Sequence, residues 1–271
     1  MPDLDASKMS FDELTITRAI VKQFSEDFLD SLELDVALVG AGPANLTAAR
    51  LLAELGLRTA IFERELHIGG GIWGGGMLMP SIVVEEEAAH FLTDTGVKFR
   101  PCEEGLVIAN AVETATKMTA AAIDAGARIW VGIEAEDVRM DDDLRVAGLV
   151  INWGAVTVAG LHVDPLAIHT RCVIDGTGHP AEIARKVLEK VPGASFDSPH
   201  DHVPGEAAMH AVLGEAALAA NTREVYPGLV VTGMVANAVA KSPRMGPIFG
   251  GMFVSGERAA QVAAGIVERL G

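Results

Sequence analysis

The chain has 271 residues, 49% of them hydrophobic, which suffices for one large domain or two small ones. It carries 37 acids against 21 bases, a net charge of −16, with no Lys/Arg run, and this argues against nucleic acid and anionic membrane as partners. Its two cysteines, Cys102 and Cys172, lie far apart without metal spacing or a disulfide framework. No apolar run reaches the ~18 residues that span a membrane, and the N-terminus MPDLDASKMSFDEL is unlike a signal peptide. A soluble, cytoplasmic protein is expected.

Residues 1–10 read as a lead-in. From 12 to 31, Leu14, Ile16, Ile20, Val21, Phe24, Phe28 and Leu29 recur at helical spacing, and the helix is expected to pack on the core or, alternatively, on a neighbouring subunit. The stretch from Leu34 to Gly76 organises the chain. Val36 to Val39 is a buried strand, Gly40-Ala41-Gly42 a tight turn, and Pro43 suits the first turn of a helix that runs past Leu46, Ala49, Leu52 and Leu55 to Gly56. A second strand, Arg58 to Phe62, ends on the acid Glu63.

Strand, glycine turn, helix, strand and acid are what the ADP half of a dinucleotide requires. Bare backbone approaches a pyrophosphate, the helix N-terminus meets its charge, and an acid about 20 residues on accepts the ribose hydroxyls. The third glycine position is Asn45, a bulkier residue where helix meets strand. Two further triplets, Gly69-Gly70-Gly71 and Gly74-Gly75-Gly76, are incompatible with regular helix or strand and suggest backbone approach to a second part of the ligand; a flexible loop is the alternative.

Residues 82–95 and 111–125 are expected to be helical. Arg128 to Ile133 reads as a strand continued by Glu134 to Met140, then Leu144 to Trp153 as another, with Ala155 to Ala159 extending a β-rich middle region. Arg171 to Asp175 is a buried strand that holds Cys172, while Cys102 is placed in a turn after Pro101. Residues 195–211 suggest a mobile loop, Leu229 to Thr232 the final core strand, and Gly250 to Leu270 a terminal helix. The organisation expected is a lead-in and helix over 1–33, then a single α/β dinucleotide-binding domain over 34–271 with an inserted β-rich part.

Several side chains suggest chemistry. If Gly160-Leu161-His162-Val163-Asp164-Pro165 is extended, His162 and Asp164 share a face and suit a divalent metal such as Fe(II) with a third ligand elsewhere; a satisfied buried histidine and a turn aspartate are the ordinary alternative. His179 follows a strand in the Gly176-Thr177-Gly178 turn, where α/β proteins place site residues. His200, Asp201 and His202 form a rival metal cluster or a solvated charge patch. Arg244, in a Gly/Pro-rich turn, suits either a small carboxylate or a surface ion pair. No nucleophile–base pair of the hydrolase type is present.

DVALVGAGPANLTAA, FERELHIGGGIWGGGM, INW, GLHVDP, DGTGH and YPGLVVTGMVANAVAKSPRMGPIFGGMFVSGERAA resemble the thiamine thiazole synthases, over most of the chain from about residue 12. The resemblance implies a glutathione-reductase-like, three-layer ββα dinucleotide-binding fold. It implies synthesis of ADP-5-ethyl-4-methylthiazole-2-carboxylate from NAD, glycine and a sulfur source. Fungal and plant members give up sulfur from their own cysteine, just before a Met-Asp-Pro, and turn over once. Here that position is His162, so the chain resembles the archaeal type, which takes free sulfide, uses Fe(II) and turns over repeatedly.

Carried over residue by residue, the resemblance implies that Gly40, Gly42 and Ala44 form the nucleotide turn, with serine common in relatives at Ala44. Glu63 and Arg64 would bind the adenosine ribose, Gly71 the pyrophosphate side, Val138 or its neighbours the adenine, and Met234 the nucleotide. His162, Val163 and Asp164 would line the ligand, with His162 a candidate acid/base. Arg244 would hold the glycine carboxylate, and Asp164 with His179 would hold Fe(II), contributed by neighbouring subunits of an octamer with shared sites. An FAD-dependent oxidoreductase and a non-catalytic NAD-binding stress protein are the rival readings.

Overall fold

The computed structural model describes residues 10–196 and 200–271, and the chain divides into two compact units, 1–33 and 34–271. In the first, helix α1 (Glu13–Asp30) is capped by Asp12, whose carboxylate accepts from the Thr15 amide at 2.8 Å. The helix forms where its apolar spacing predicts, and it buries none of its residues. Leu14, Ile20, Val21 and Leu29 are all exposed.

After α1 the chain runs, in order, through β1 (Glu33–Val39), which enters the second unit, α2 (Pro43–Glu54), β2 (Thr59–Glu63), β3 (Ser81–Glu85), α3 (Ala89–Asp94), β4 (Phe99–Glu103), β5 (Leu106–Asn110) and α4 (Ala111–Asp124). Next come β6 (Arg128–Val131), β7 (Ile133–Met140), β8 (Val146–Trp153), α5 (Gly154–Ala159), β9 (Leu166–Asp175) and α6 (Glu182–Lys190). The chain ends with α7 (Ala211–Asn221), β10 (Arg223–Tyr226), β11 (Leu229–Val231), α8 (Met234–Val239) and α9 (Gly250–Leu270).

An eight-stranded sheet orders its strands β10-β11-β9-β1-β2-β6, with β8 pairing both β7 and β9 off that path. The β1–β2, β2–β6 and β9–β11 pairs are parallel, and β1 and β2, buried on both faces, read as continuous apolar runs for that reason. The antiparallel β7-β8-β9 meander is the inserted β-rich part. Helices α2, α4 and α9 form a layer through mutual α2–α9 and α2–α4 packing. Close approach there requires Gly256, where a Cβ would lie 2.2 Å from the Ala44 carbonyl oxygen. This is the α/β dinucleotide-binding class that the sequence implies.

Four local expectations are corrected. Residues 81–85 form a strand instead of the start of a helix, because Ile82 and Val84 alternate inward and pair with Ala109 and Val107 of β5 in a three-stranded antiparallel sheet. The helix begins only at Ala89, after a 3₁₀ turn. Residues 154–159 are helical, not strand: the Gly154 amide bonds to the Gly132 carbonyl at 2.8 Å, and Gly160 at φ +62° closes the helix. Gly70–Gly74 is a 3₁₀ helix, so one triplet does enter helical structure, as a single short turn. Cys102 lies in strand β4, not in a turn.

Candidate functional site

The site grows from the carboxyl ends of β1, β2, β9 and β11. The β1–β2 register pairs Val39 with Phe62, which sets Glu63 beside the glycine turn. Its carboxylate accepts from the Ala41 amide at 2.7 Å and from the Glu65 amide at 2.9 Å, and this fixes the acid at the mouth of the turn. Gly40, at φ +87°, has no room for a side chain: a Cβ would lie 2.8 Å from the Gly176 carbonyl oxygen.

Asn45 has a structural use. Fully buried, it donates from Nδ2 to the carbonyls of Val39 at 2.8 Å and Gly40 at 2.7 Å, stitching the strand end to the helix start. The room it needs comes from Gly176, where a Cβ would sit 2.3 Å from Nδ2. The space lost by replacing the third glycine is thus recovered at Gly176, just past the end of β9.

The second glycine segment docks on the first. The Gly69 amide bonds to the Ala41 carbonyl at 2.8 Å, and a Cβ on Gly70 would lie 3.1 Å from the Gly42 Cα. A Cβ on Gly71 would meet nothing within 4 Å and would face open space. Both segments therefore line one cleft of about 720 Å³, together with Glu63, Arg64, the Gly176–His179 turn, Met234 and the Arg244–Phe249 segment. The N-terminus of α2, whose cap residue Gly42 offers no side-chain acceptor, opens on this cleft with its amides free for an anion.

Charge at the mouth is ordered. Arg64 Nη1 pairs with Glu182 Oε1 at 2.7 Å. Burial works against the Arg64 cation, but Glu182 and then Glu134 and Glu65 outweigh it and raise its pKa further. Asp175 ends β9 fully buried. Desolvation raises its carboxyl, while the Thr177 hydroxyl (2.7 Å) and the Thr177 and Ala184 amides (3.0 and 2.8 Å) stabilise the ionised form. These bonds hold the turn that presents His179, whose Nδ1 lies 2.5 Å from Glu206 Oε1.

Arg244 is set from beneath. Buried Asn237 bonds the Pro243 carbonyl at 3.2 Å and the Gly214 carbonyl at 3.1 Å, while the Arg244 backbone pairs with Ala207 (3.3 Å) and His210 (3.0 Å). Arg244 lines the cleft and is exposed. Among the described residues it has no carboxylate in ion-pair reach, so of the two sequence readings the surface ion pair is absent.

A model of the Thi4 family matches residues 17–249. The chain belongs to the Thi4 family. It is 53% identical to the thiamine thiazole synthase of Methanothrix thermoacetophila, over 94% of this chain and 97% of that one. With the thiamine thiazole synthase of Pyrococcus horikoshii it shares 51% identity, over 92% and 96%. The crystal structure of Thermovibrio ammonificans THI4 superposes with a TM-score of 0.90 at 42% identity, covering 95% of this chain and 98% of that one. As a Thi4 member this chain is an enzyme of thiamine thiazole biosynthesis.

Of the residues singled out in the sequence, Gly40, Gly42, Ala44, Glu63, Arg64, Gly71, His179, Met234 and Arg244 meet on the cleft. Val138 does not: β7 enters the lining at Ile133, Glu134 and Ala135, and Val138 lies further along the strand. His162, Val163 and Asp164 are also off it. Residues 161–165 have no regular structure, so strand alternation does not apply, and all are exposed, with Asn152 Nδ2 bonding the Val163 carbonyl at 3.0 Å. Among the described residues no group of three or more His, Cys, Asp or Glu is arranged to hold a metal ion. His179 on the cleft and Asp164 off it do not make an Fe(II) site within one chain. The rival His200–Asp201–His202 cluster is a local pair, Asp201 with His202 at 2.8 Å, on an exposed segment. The His202 hydrogen bond pulls the Asp201 carboxyl below its usual range.

Sequence pattern alone did not single out His67, Glu182 or Glu206. His67 lies on the cleft beside the second glycine segment, and Glu182 opens α6, whose Ile183, Ala184 and Val187 carry a helical stripe that was legible. Glu206 has no local signal, because its partner is 27 residues away.

Proposed function

We propose that this chain is a sulfide-dependent, multiple-turnover thiazole synthase that makes ADP-5-ethyl-4-methylthiazole-2-carboxylate from NAD, glycine and sulfide. The observation that carries the sulfur assignment is the position of the cysteines. Neither Cys102, exposed on β4, nor Cys172, buried in β9, is among the cleft residues. Burial pushes the Cys172 thiol far up, so it supplies no thiolate. A sulfur atom delivered to a ligand over the glycine turns then comes from outside the chain.

In this reading NAD lies with its ribose on Glu63 and Arg64 and its pyrophosphate over the α2 N-terminus, Gly71 and Met234. Nicotinamide departs, and the opened ADP-ribose condenses through its ketone with glycine as an imine. Arg244, with no carboxylate in ion-pair reach among the described residues and held through its backbone, takes the glycine carboxylate by charge-assisted hydrogen bonds and orients the amine for that step. Among the described residues a single chain does not assemble ligands for Fe(II). The metal is therefore assigned to His179 of one copy and to Asp164 of another, with His162 and Val163 reaching the cleft on the same segment, in a homo-oligomer with shared sites. The exposed segment from Leu161 to Leu166 supports such an exchange.

The test is anaerobic incubation with NAD, glycine, sulfide and Fe(II), followed by mass analysis of the released nucleotides and of the protein. More than one thiazole product per chain, dependent on sulfide, is expected. A single product accompanied by loss of sulfur from the protein would overturn the reading, as would a bound flavin with no product.

A further inference from the structure

We propose that Glu206 is a positioning residue: it holds the His179 imidazole in the tautomer protonated at Nδ1 and so presents an unprotonated Nε2 at the cleft. His179 lies on a turn whose backbone is fixed by Asp175, but its side chain is about half exposed, at 53%. Ring orientation therefore depends on what grips the ring. Glu206 does so at 2.5 Å, and its own side chain is only 13% exposed. A carboxylate accepts and does not donate, so the ring nitrogen facing it carries the hydrogen, and in the neutral ring the other nitrogen keeps its lone pair.

Glu206 is itself held. The next residue, Ala207, donates its amide to the Ser242 carbonyl at 3.0 Å and accepts from the Arg244 amide at 3.3 Å. Three residues on, the His210 amide donates to the Arg244 carbonyl at 3.0 Å, and the His210 ring caps α7. One short segment thus bonds the ring of His179 through a side chain and the backbone of Arg244 through its own backbone. The two cleft residues come from distant parts of the sequence, and the Glu206–His210 segment touches both. An acceptor-only partner on one imidazole nitrogen is the usual means of making the other nitrogen a lone-pair donor, whether to a proton or to a metal ion.

The proposal rests on the reading of His179 as a working residue of thiazole synthesis, and the test separates the two. Ring ¹⁵N shifts of His179, assigned by loss of its signal in His179→Gln, are compared in the full-length protein and in Glu206→Gln and Glu206→Ala, at a pH where free imidazole is neutral. The wild-type ring is expected to show the Nδ1–H form. Glu206→Ala should lose it, with the other histidine signals unmoved and with turnover falling about 10–100-fold while KM for NAD changes little, whereas Glu206→Gln, whose amide oxygen still accepts, should keep it and retain much of the turnover. A wild-type ring protonated at Nε2, or an unchanged tautomer in Glu206→Ala, overturns the proposal, as does an altered tautomer with full turnover. If His179→Gln itself turns over normally, the assignment of His179 to the reaction falls, whatever the tautomer.

Discussion

Two glutamates under the N-terminus of α9 give the sharpest test of the packing. Glu85 ends β3 and Glu215 lies in α7, and the Gly251 amide donates to Glu215 Oε2 at 2.7 Å. Side chains on Gly250 or Gly251 would collide with these carboxylates, at 1.9 and 2.0 Å. Among the described residues Glu85 Oε2 and Glu215 Oε1 are buried without another hydrogen-bond partner, an arrangement that one shared proton satisfies. Burial, then the charge and hydrogen bond of Glu85, push the Glu215 carboxyl from the ordinary 4.5 up to about 8, against the Gly251 amide.

Linkage gives the sign. Below pH 4.5 the carboxyl is protonated in folded and unfolded chains alike. Between 4.5 and about 8 the unfolded chain releases a proton that the folded one keeps, so stability falls as pH rises, and the loss levels off above about 8. At about 1.4 kcal/mol per pH unit the loss is at most about 5 kcal/mol. Partial solvation and the sharing of one proton reduce it to about 1–3 kcal/mol. Glu215→Gln removes the ionisation while its amide still accepts from Gly251 and can donate to Glu85. Thermal unfolding from pH 5 to 9 at fixed protein concentration should find the variant near wild type at pH 5 and roughly 2–10 °C more stable at pH 9. Parallel curves, or a variant that loses more than wild type as pH rises, would refute the shared proton.

Gly176→Ala should destabilise the fold by about 1–3 kcal/mol in urea unfolding, because its Cβ would meet the pinned Asn45 amide. Gly265→Ala, helical with nothing within 4 Å, should instead stabilise by about 0.5–1 kcal/mol, and the contrast separates collision from helix propensity. Arg244→Ala is expected to raise KM for glycine about 10–100-fold through loss of a charge-assisted carboxylate contact, with no change in melting temperature. Cys172→Ala and Cys102→Ala should both retain sulfide-dependent product formation. The first should cost about 1 kcal/mol of stability from its buried position, and loss of product in either would implicate protein sulfur.

The dinucleotide architecture was legible because its determinants are local. The Val36–Val39 run, the Gly40 turn, the α2 stripe and the acid at Glu63 all fall within about 30 residues and have one shape that fits them. The terminal helix was legible over its whole length, Gly250–Leu270, since its apolar period persists for five turns. Errors came where short apolar runs suit either element: Ile82–Val84 became a strand only because β5 offered it an edge, and residues 154–159 became a helix because β8 ended there.

Within the site, the sequence determined residue chemistry and its place at the ends of strands. Gly40, Glu63, His179 and Arg244 could be named because turns and strand ends are where side chains reach a ligand. Which of them meet was decided by tertiary structure alone. Asn45 read as a defect until Gly176, 131 residues away, supplied the space beside it. His162 and Asp164 read as site residues, yet within one chain they stand on an exposed loop away from the cleft. Glu206 was silent, because a hydrogen bond to a ring 27 residues away depends on how loops fold back and leaves no periodicity in the chain. Local spacing fixes what a backbone segment can become. The partner of a buried or cleft-facing polar group is set by packing between segments that the sequence does not order.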